Sequence, residues 1–312
     1  MPDMTAYILR RLLQAIPVFL GATFLIYSMV FLLPGDPILA LFGDKTPTPA
    51  QYAALQERFH LDQPFIQRYF IYLGDLFQGD LGTTFRGQSV NEILARTFPV
   101  TLRLALLAVL IQLVFGVTIG LIAGLRKNGI IDHVSMLVSL VLISVPVFVL
   151  AFVAQFFLGI QLGWFRPTVG PGAPWSDLIL PAIVLAALNF AYVIRLTRAS
   201  VIETRQQDFV RMAYGKGLSG SRVIPVHVLR NSLIPVTTNL AADFGILIVG
   251  ATVTEGIFNV PGVGNELFEA INRHDGPEIV SIVTILVVIY VLVNLLIDLL
   301  YGVLDPRIRY AR

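Results

Sequence analysis

Several polar residues lie inside long apolar stretches of this sequence, where a polar side chain is expensive unless it has a partner or a function. They are Gln112, Gln155, Asn189, Asn239, Asp243 and Asn294. Gln155, Asn189, Asn239 and Asp243 are the candidates for lining a polar pathway, in which the Asp243 carboxylate would meet a cationic group such as an amine. The alternative is that Asp243 is a structural carboxylate, hydrogen-bonded to neighbouring helices. The sequence leaves both interpretations open.

Patterns typical of enzymes and of nucleotide-binding proteins are missing. Tyr214–Gly217 contains Gly-Lys but lacks the upstream glycine and the following Ser/Thr of a phosphate loop, and Gly262–Gly264 lacks the third glycine of a dinucleotide fingerprint. The four histidines have no ligand-like spacing, and the absence of cysteine excludes disulfides and thiolate metal sites. No cluster of serine, histidine and acid is indicated. We therefore expect no catalysis, cofactor or metal in this chain.

The longest polar interruption late in the chain starts at Asp208 and reads DFVRMAYGKG. We call residues 208–222 the docking segment. Phe209, Met212 and Ala213 fall on one face of a helix, and Asp208 falls on another. This spacing predicts a short amphipathic helix. A small side chain at Ala213 would let the backbone of a partner protein approach closely.

The predicted helix ends at two glycines, Gly215 and Gly217. Ser219 or Ser221 can then cap a second helix whose first turn contains Pro225. Like Ala213, Gly217 would allow a partner to come close. The alternative for the whole segment is an amphipathic helix that rests on the membrane interface without a protein partner.

Composition indicates the solvent in which these residues lie. The chain of 312 residues is 56% hydrophobic and only 13% charged, and its mean hydropathy is +0.78. It has too few charges to coat a soluble globule of this length. The net charge is +2, but the basic residues flank apolar segments and do not form one patch, so nucleic-acid binding is not expected. The sequence predicts an integral membrane protein.

Six apolar runs are long enough to cross the hydrocarbon core of a membrane. They cover residues 12–33, 100–125, 134–158, 178–196, 234–256 and 279–303. The first run is too long for a cleaved signal peptide, so residues 1–33 are a cytosolic end followed by a membrane anchor. The other five runs form a core domain at 99–304, and residues 305–312 are a tail. An even number of spans puts both termini in the cytosol.

The distribution of basic residues supports this orientation. The connections assigned to the cytosol hold Arg126, Lys127, Arg198, Arg205, Arg211, Lys216, Arg222, Arg230, Arg307, Arg309 and Arg312. The two short loops assigned to the outside hold only Arg166 and Arg273. This bias agrees with the positive-inside rule. The loop after the fifth run is instead acidic, which says little about orientation.

Residues 34–98 are polar enough to leave the membrane and form an extended external loop. Thr48–Gln51 fits an N-cap, a proline at the first helical position and a glutamine three residues after the cap, which predicts a helix through about Phe59. Apolar positions in residues 65–77 recur at helical spacing. We expect this second helix on the membrane surface or against the transmembrane bundle. The loop is also a candidate contact for an external partner.

The docking segment also matches a known pattern, which reads Glu-Ala-Ala, three residues, Gly, nine residues, Ile-x-Leu. Arg211–Ala213 occupies the Glu-Ala-Ala position, Gly217 is the glycine, and His227–Leu229 falls at Ile-x-Leu. In this it resembles the cytoplasmic coupling segment of importer-type ABC permeases, within coupling helices at residues 205–230. Arg211 departs from the acidic residue of the pattern, although Asp208 offers a carboxylate nearby. The resemblance implies contacts with an ATPase by Asp208, Phe209, Arg211, Met212, Ala213, Gly217, Leu218, Ser219 and Arg222.

Further motifs extend this resemblance over nearly the whole chain. In order they are Phe31–Pro37, Gly79–Gly82, Phe98–Leu102, Ser144–Phe148, Glu255–Gly264 and Asp305–Ile308. The set is similar to the B-type subunit of dipeptide and oligopeptide permeases. The resemblance implies an all-α integral membrane protein with the six transmembrane helices of the type I ABC importer fold. It also implies a bacterial or archaeal cell (inner) membrane location.

The same resemblance implies a set of partners. These are a second homologous permease subunit, cytosolic ATPase subunits or domains that bind ATP and Mg, and an external peptide-binding protein. Other interpretations remain open from the sequence. The same machinery could import another small solute, such as a nickel chelate or glutathione. An ATP-independent secondary transporter would need ion sites and often internal repeats, none of which is obvious, and a channel is possible on composition.

Overall fold

The computed structural model describes residues 4–32, 35–42 and 46–304, and within them the side chains except those of residues 4–7, 188 and 298–304. These residues form helices joined by loops. The α-helices are α1 (Met4–Phe31), α2 (Pro37–Phe42), α3 (Pro49–Arg58), α4 (Phe65–Phe77), α5 (Val90–Ile111), α6 (Val117–Leu125), α7 (Ile130–Ser144), α8 (Val147–Ala154), α9 (Trp175–Arg205), α10 (Asp208–Gly215), α11 (Gly220–Val223), α12 (Arg230–Phe258), α13 (Val263–Asn272) and α14 (Gly276–Leu304). Three π-helical segments cover Gln112–Gly116, Gln155–Gln161 and Ile224–Leu229.

Some of the predicted features lie outside the described residues. They are Leu33 and Pro34, at the end of the first apolar run, and the whole cytosolic tail at residues 305–312. That tail carries three of the basic residues used for orientation and the Asp305–Ile308 motif.

The predicted six spans are recovered when bent helices are counted as single spans. Within the described residues, four helical stretches are long and apolar enough to cross a membrane, namely Ile8–Phe31, Val90–Leu125, Gly220–Phe258 and Gly276–Ile297. Two further pairs are bent, Ile130–Ser144 with Val147–Gln161 by 107° and Trp175–Ala187 with Asn189–Arg205 by 61°. If each bent pair is one span, the described residues contain six candidate spans, as judged from helix length and composition.

The sharper bend has a local cause in the Ser144–Phe148 motif. Val145 has extended backbone angles, with φ −99° and ψ 125°, as expected for a residue that precedes a proline. Pro146 continues in an extended conformation, with φ −57° and ψ 141°. The helix must therefore stop at Ser144 and restart at Val147. The sequence predicts one apolar run here, and the structure adds the break within it.

One helix starts earlier than its apolar run indicates. The fourth run was expected to begin near residue 178, with Pro181 in the first turn, but α9 begins at Trp175, so Pro181 lies inside the helix. Hydropathy did not include the start of α9 because this start contains polar residues.

The chain divides into two compact units, Met1–Thr101 with Pro261–Arg312, and Leu102–Val260. In the first unit α14 packs along α1, and the position of a Gly276 Cβ atom would lie 3.0 Å from Val30. The predicted domain layout grouped the last span with the core at 99–304. In the structure this span belongs to the same compact unit as the first helix and residues 46–98.

The external region of the first unit follows its sequence signals. Thr48 accepts a hydrogen bond from the Gln51 backbone at 3.3 Å, and the Gln51 side chain accepts from the Thr48 backbone at 3.0 Å. This capping box starts α3, as predicted. Of the two locations expected for α4, the structure has the second, because Tyr69 packs against α1 and its hydroxyl lies 2.9 Å from Thr23 Oγ1.

The acidic loop after the fifth span contains a helix that the sequence reading missed, α13. It positions carboxylates around Arg273, whose guanidinium donates to Glu266 at 2.8 Å and to Glu269 at 3.1 Å. Arg273 also reaches Glu278 at 3.3 Å. Much of the negative charge of this loop is therefore paired within the first unit.

The second unit is organised by close packing of α6 against α9. Gly116, Gly120 and Gly124 are spaced by four residues and lie on one face of the helix. A Cβ atom on Gly120 would lie 2.6 Å from Thr197 Cβ and 2.7 Å from the carbonyl oxygen of Ile194. The two backbones can approach this closely only because these residues lack side chains. We call these three residues the glycine seam.

The glycine seam gives a stability prediction. We expect Gly120→Ala to destabilise the protein by about 1–3 kcal/mol, since the new methyl group would overlap a backbone oxygen that cannot rotate away. The measurement is the thermal midpoint of the purified protein in detergent. Gly21→Ala in α1 is the matched control, because within the described chain its Cβ atom would meet nothing within 4 Å. Equal midpoints for the two variants would contradict the close packing.

Candidate docking site

The helix at the start of the docking segment, α10, packs one of its faces into its own chain. Val210 and Ala213 are buried in a small apolar cluster with Val201 of α9 and with Val223 and Val228 of the following helix. Leu121, Leu125 and Leu218 cover this cluster. The docking segment is therefore anchored to the second unit by ordinary core packing.

Outside this buried face, α10 is exposed and carries large apolar side chains. Met212 is 60% exposed, Tyr214 49% and Phe209 38%. Ala213 was expected to offer a small surface to a partner, but it is buried together with Val210, whereas its neighbours Phe209 and Met212 are exposed. Ala213 therefore cannot offer close approach to a partner, and the bulky apolar residues form the accessible surface.

The charged and polar candidates of the docking segment lie at the surface. Asp208, Arg211, Ser219 and Arg222 are all exposed. Negative and positive side chains therefore lie close to the exposed apolar residues of α10. A surface with an apolar centre and a polar rim is typical of protein–protein contacts.

The end of α10 is a Schellman turn centred on Gly217. The Gly217 N–H donates to Tyr214 at 2.9 Å, and the Leu218 N–H donates to Ala213 at 3.3 Å. Gly217 has φ +81°, which glycine adopts without strain. A Cβ atom there would meet nothing of the described chain within 4 Å. The backbone angle therefore requires a glycine here, whereas packing within the chain does not.

The next helix begins at Ser219, one of the two caps expected. Its hydroxyl lies 2.9 Å from that of Ser221 and does not cap the helix end. Pro225 was expected in the first turn, but with Ser219 as the cap it lies further in, within the π-helical segment Ile224–Leu229. Since proline has no N–H to donate, the wider π turn lets the helix continue past it.

Two contacts join the end of α9, on which the docking segment packs, to α6. Val201, in the cluster under α10, also lies against the glycine seam, where a Gly124 Cβ atom would be 2.8 Å from Val201 Cβ. Arg205 at the end of α9 donates to the carbonyl oxygen of Leu125 at 2.8 Å. Movement of α10 would therefore be transmitted to both α9 and α6.

An ion pair fixes the start of the third span beside α9. Arg198 donates two hydrogen bonds to Asp132, through Nε to Oδ1 and through Nη2 to Oδ2, the latter at 2.8 Å. Oδ2 of Asp132 also accepts the backbone N–H of Asn128 at 2.9 Å. Both side chains are largely buried, and a bidentate pair of this kind gives geometric specificity.

Two of the predicted pathway residues contact each other, and a third lies next to them. Asn189 donates to Asn239 at 3.2 Å. The side chains of Asn189 and Gln112 face the carboxyl group of Asp243. Asp243 is 6% exposed, and within the described chain its Oδ2 atom has no hydrogen-bond partner, nor has Oε1 of Gln112. We call these four residues the polar cluster.

Gln155 does not belong to the polar cluster. Its amide donates to the carbonyl oxygen of Pro167 at 2.8 Å and to that of Ile257 at 3.1 Å. These bonds connect a π-helical segment to an outer loop and to the end of α12, so the side chain has a structural role here. Asn294 likewise donates to Tyr290 in its own helix, at 2.8 Å.

Sequence reasoning missed the residues that join the docking segment to the spans. The glycine seam has the small-xxx-small signature of close helix packing, which the sequence displays. The Asp132–Arg198 pair carries no such signature, because its members are far apart in the chain. Arg198 was interpreted only as a marker of orientation.

Comparisons with known proteins are consistent along the chain. The family model "Binding-protein-dependent transport system inner membrane component" matches residues 116–310, and the corresponding N-terminal model matches residues 4–105. The di/tripeptide transport system permease protein DppB of Pseudomonas aeruginosa is 38% identical, covering 99% of this chain and 100% of that protein. The dipeptide transport system permease protein DppB of Alkalihalophilus pseudofirmus is 36% identical, and that of Escherichia coli K12 34%, with 98% and 99% of this chain covered and 100% of each relative.

The backbone angle at position 217 gives a prediction about residue type. We expect Gly217→Val to destabilise the turn by about 1–2 kcal/mol, because a β-branched residue is strained in the left-handed region, whereas Gly217→Asn should be milder. The measurement is the rate at which a protease cuts the docking segment in the folded protein. Equal cutting of both variants would mean that the left-handed turn does not limit the stability of the segment.

The unpaired carboxylate oxygen gives a second prediction. We expect Asp243→Asn to raise the thermal midpoint, by the equivalent of about 1–3 kcal/mol, because the amide removes a buried unpaired acceptor and can donate to Gln112. Asn239→Asp, which adds a carboxylate to the same helix, is the control and should lower the midpoint. A lower midpoint for Asp243→Asn would indicate that the carboxylate has a stabilising partner.

Proposed function

Because this chain belongs to the family of inner membrane components of binding-protein-dependent transport systems, we propose that it forms half of the translocation pathway of an ATP-driven importer. A second homologous permease subunit forms the other half. The chain is an ABC permease of the dipeptide and oligopeptide type, a multi-pass membrane protein and a transport component, not an enzyme. Hydrolysis of ATP, with bound Mg, takes place in separate cytosolic ATPase subunits or domains.

The observation that carries the docking role is the two-sided construction of α10. One face is part of the chain's own core through Val210 and Ala213. The rest of its surface exposes Met212 and Tyr214, both about half exposed or more. Exposed large apolar residues rimmed by charges are suited to a groove on a partner. An ATPase subunit is the partner in our proposal.

The coupling mechanism follows from the contacts under α10. When the ATPases close on ATP, the docked helix moves with the one that holds it. Val201 and Gly124 transmit that movement to α9 and α6, since close-packed backbones shift together and do not deform. The spans then rock, and the pathway changes the side to which it opens. Such a cycle requires that α10 make different contacts in the two states.

The polar cluster is the part of the pathway to which we assign substrate chemistry. Asn189, Asn239 and Asp243 provide an amide pair and a carboxylate within otherwise apolar spans. A peptide in transit carries an amino terminus and amide bonds, which such groups can bind in turn. Weak, replaceable hydrogen bonds would suit passage better than tight binding.

The substrate class is inferred from the relatives. Their names assign them to dipeptide and di/tripeptide transport, and we propose short peptides for this chain, delivered by an external peptide-binding protein. The alternative within the same machinery is another small solute, such as a nickel chelate or glutathione. In this proposal both termini lie in the cytosol, which the distribution of basic residues supports. The chain resides in the bacterial or archaeal inner membrane, which the family description as an inner membrane component supports.

The docking proposal is tested by Met212→Glu in the complete transporter. We expect at least a tenfold loss of ATP-driven peptide uptake, because a carboxylate would be buried unpaired in the contact with the ATPase. The thermal midpoint of the isolated chain should not change, since Met212 is 60% exposed. Gln206→Glu, also exposed and outside the docking segment, is the control. Normal uptake by Met212→Glu would contradict docking through this face.

The class of transporter is tested separately. Uptake in vesicles should require ATP, stop with vanadate and depend on co-purifying ATPase subunits. A secondary transporter or a channel would instead follow an ion gradient or the solute gradient without nucleotide. Peptide binding by the associated external protein, compared with binding of nickel chelates and glutathione, identifies the substrate.

A further inference from the structure

The outer helix α4 (Phe65–Phe77) has an apolar stripe that its own chain does not cover. Ile66, Phe70 and Phe77 are 53%, 65% and 75% exposed. With Gly74 between them they lie on one face, since their spacing follows the helical repeat. Three large apolar side chains in line are too many to leave in water on a single short helix.

The face of α4 that adjoins the stripe is packed on the first membrane span. Tyr69 and Leu73 are buried in an aromatic cluster with Tyr27, and the Tyr69 hydroxyl donates to the carbonyl oxygen of Leu20 at 3.1 Å. These contacts fix the rotation of α4 about its own axis, so the helix cannot turn the stripe toward α1.

Ring contacts show how α4 runs along α1. Phe65, at the start of α4, contacts Tyr27 with 5.5 Å between ring centroids, and Phe77, at the end, contacts Phe19 at 6.2 Å. Phe19 lies about three turns, or roughly 18 Å, further into the α1 span than Phe31. The direction is antiparallel to α1, so α4 descends into the membrane as the chain proceeds.

The last span shows the same depth independently. The Tyr72 hydroxyl donates to Thr284 Oγ1 at 2.7 Å. Thr284 lies about two turns inside α14, whose first residue, Gly276, is level with Val30 and Phe31 of α1. The middle of α4 is therefore well below the outer ends of two spans.

The third side of α4 explains how its polar residues are accommodated at this depth. Arg68 and Asp75 line a cavity of roughly 170 Å³ that also contains Asp80 and Ser281. The Arg68 guanidinium lies 5.4 Å from the Phe31 ring, at the outer end of α1. The charged groups of α4 thus line this cavity and do not lie on the Ile66–Phe70–Phe77 stripe.

We propose that α4 is a re-entrant helix whose Ile66–Phe70–Phe77 stripe contacts the acyl chains of the outer lipid leaflet. Lipid is a better neighbour for the stripe than water is. The stripe lies at the level of Phe19 and Thr284, which is within the hydrocarbon layer of the membrane. The helix α1 on which α4 packs also has exposed apolar side chains, among them Leu25, which is 62% exposed. The external segment is therefore partly a membrane element.

Spin-label accessibility tests this assignment in the complete transporter, reconstituted in liposomes. The chain contains no cysteine, so single cysteines can be introduced directly, with those of the partner subunits replaced. We expect nitroxides at Phe70→Cys and Phe77→Cys to collide several-fold more often with oxygen than with a water-soluble nickel chelate. The ratio should be higher at Phe77, the deeper position.

Two reference positions calibrate the result. Leu25→Cys on α1 represents a lipid-facing position, and Glu57→Cys on α3, also exposed, represents a water-facing one. Frequent nickel collisions at Phe77 would overturn the proposal by placing the stripe in water. Infrequent collisions with both reagents would also overturn it, because a protein partner would then cover the stripe.

A second measurement avoids the nitroxide side chain. The quantity measured is the fraction of tryptophan fluorescence that is lost when ordinary lipid is replaced by brominated lipid. We expect this fraction to be larger for Phe77→Trp than for the native protein. Equal fractional losses would count against lipid contact.

Discussion

The close approach of α6 to α9 is the constraint on which the second unit depends. At Gly120 the backbones are so near that no side chain fits between them, and the contact continues through Gly124 to Val201. In a membrane, where apolar surface gains little from leaving lipid, helices associate through shape and dispersion contacts of this kind. The seam therefore supplies cohesion that the hydrophobic effect cannot supply there.

The seam also limits how the unit can move. Surfaces that interlock at backbone distance cannot slide past one another without opening gaps, and gaps forfeit dispersion contacts. α6 and the part of α9 that follows Asn189 should therefore behave as one rigid piece, and the Asp132–Arg198 pair attaches α7 to it. Flexibility must lie elsewhere, for example at the bend near Asn189.

Local signals in the sequence predicted local structure well. The capping box at Thr48, the glycine end of α10 and the six apolar spans follow from short-range chemistry and hydropathy. The burial of Ala213 was not predicted, because the apolar residues of α10 cover more than one face and only tertiary packing selects Val210 and Ala213 for the core. Hydropathy uses only residues that are close in the sequence. It therefore could not predict helix α13, the pairing of Arg273 or the depth of α4, which depend on contacts between distant residues.

The break at Val145–Pro146 carries a consequence for the lining of the third span. A helix that stops and restarts leaves carbonyl groups of one end and N–H groups of the next without their usual partners. Hydrocarbon offers no hydrogen bonds to replace them, and each unmet group costs several kcal/mol there. A corner of 107° must therefore face water or another polypeptide, and the acyl chains must contact this span on its other sides. The bend at Val145–Pro146 thus indicates which side of this span must contact water or protein.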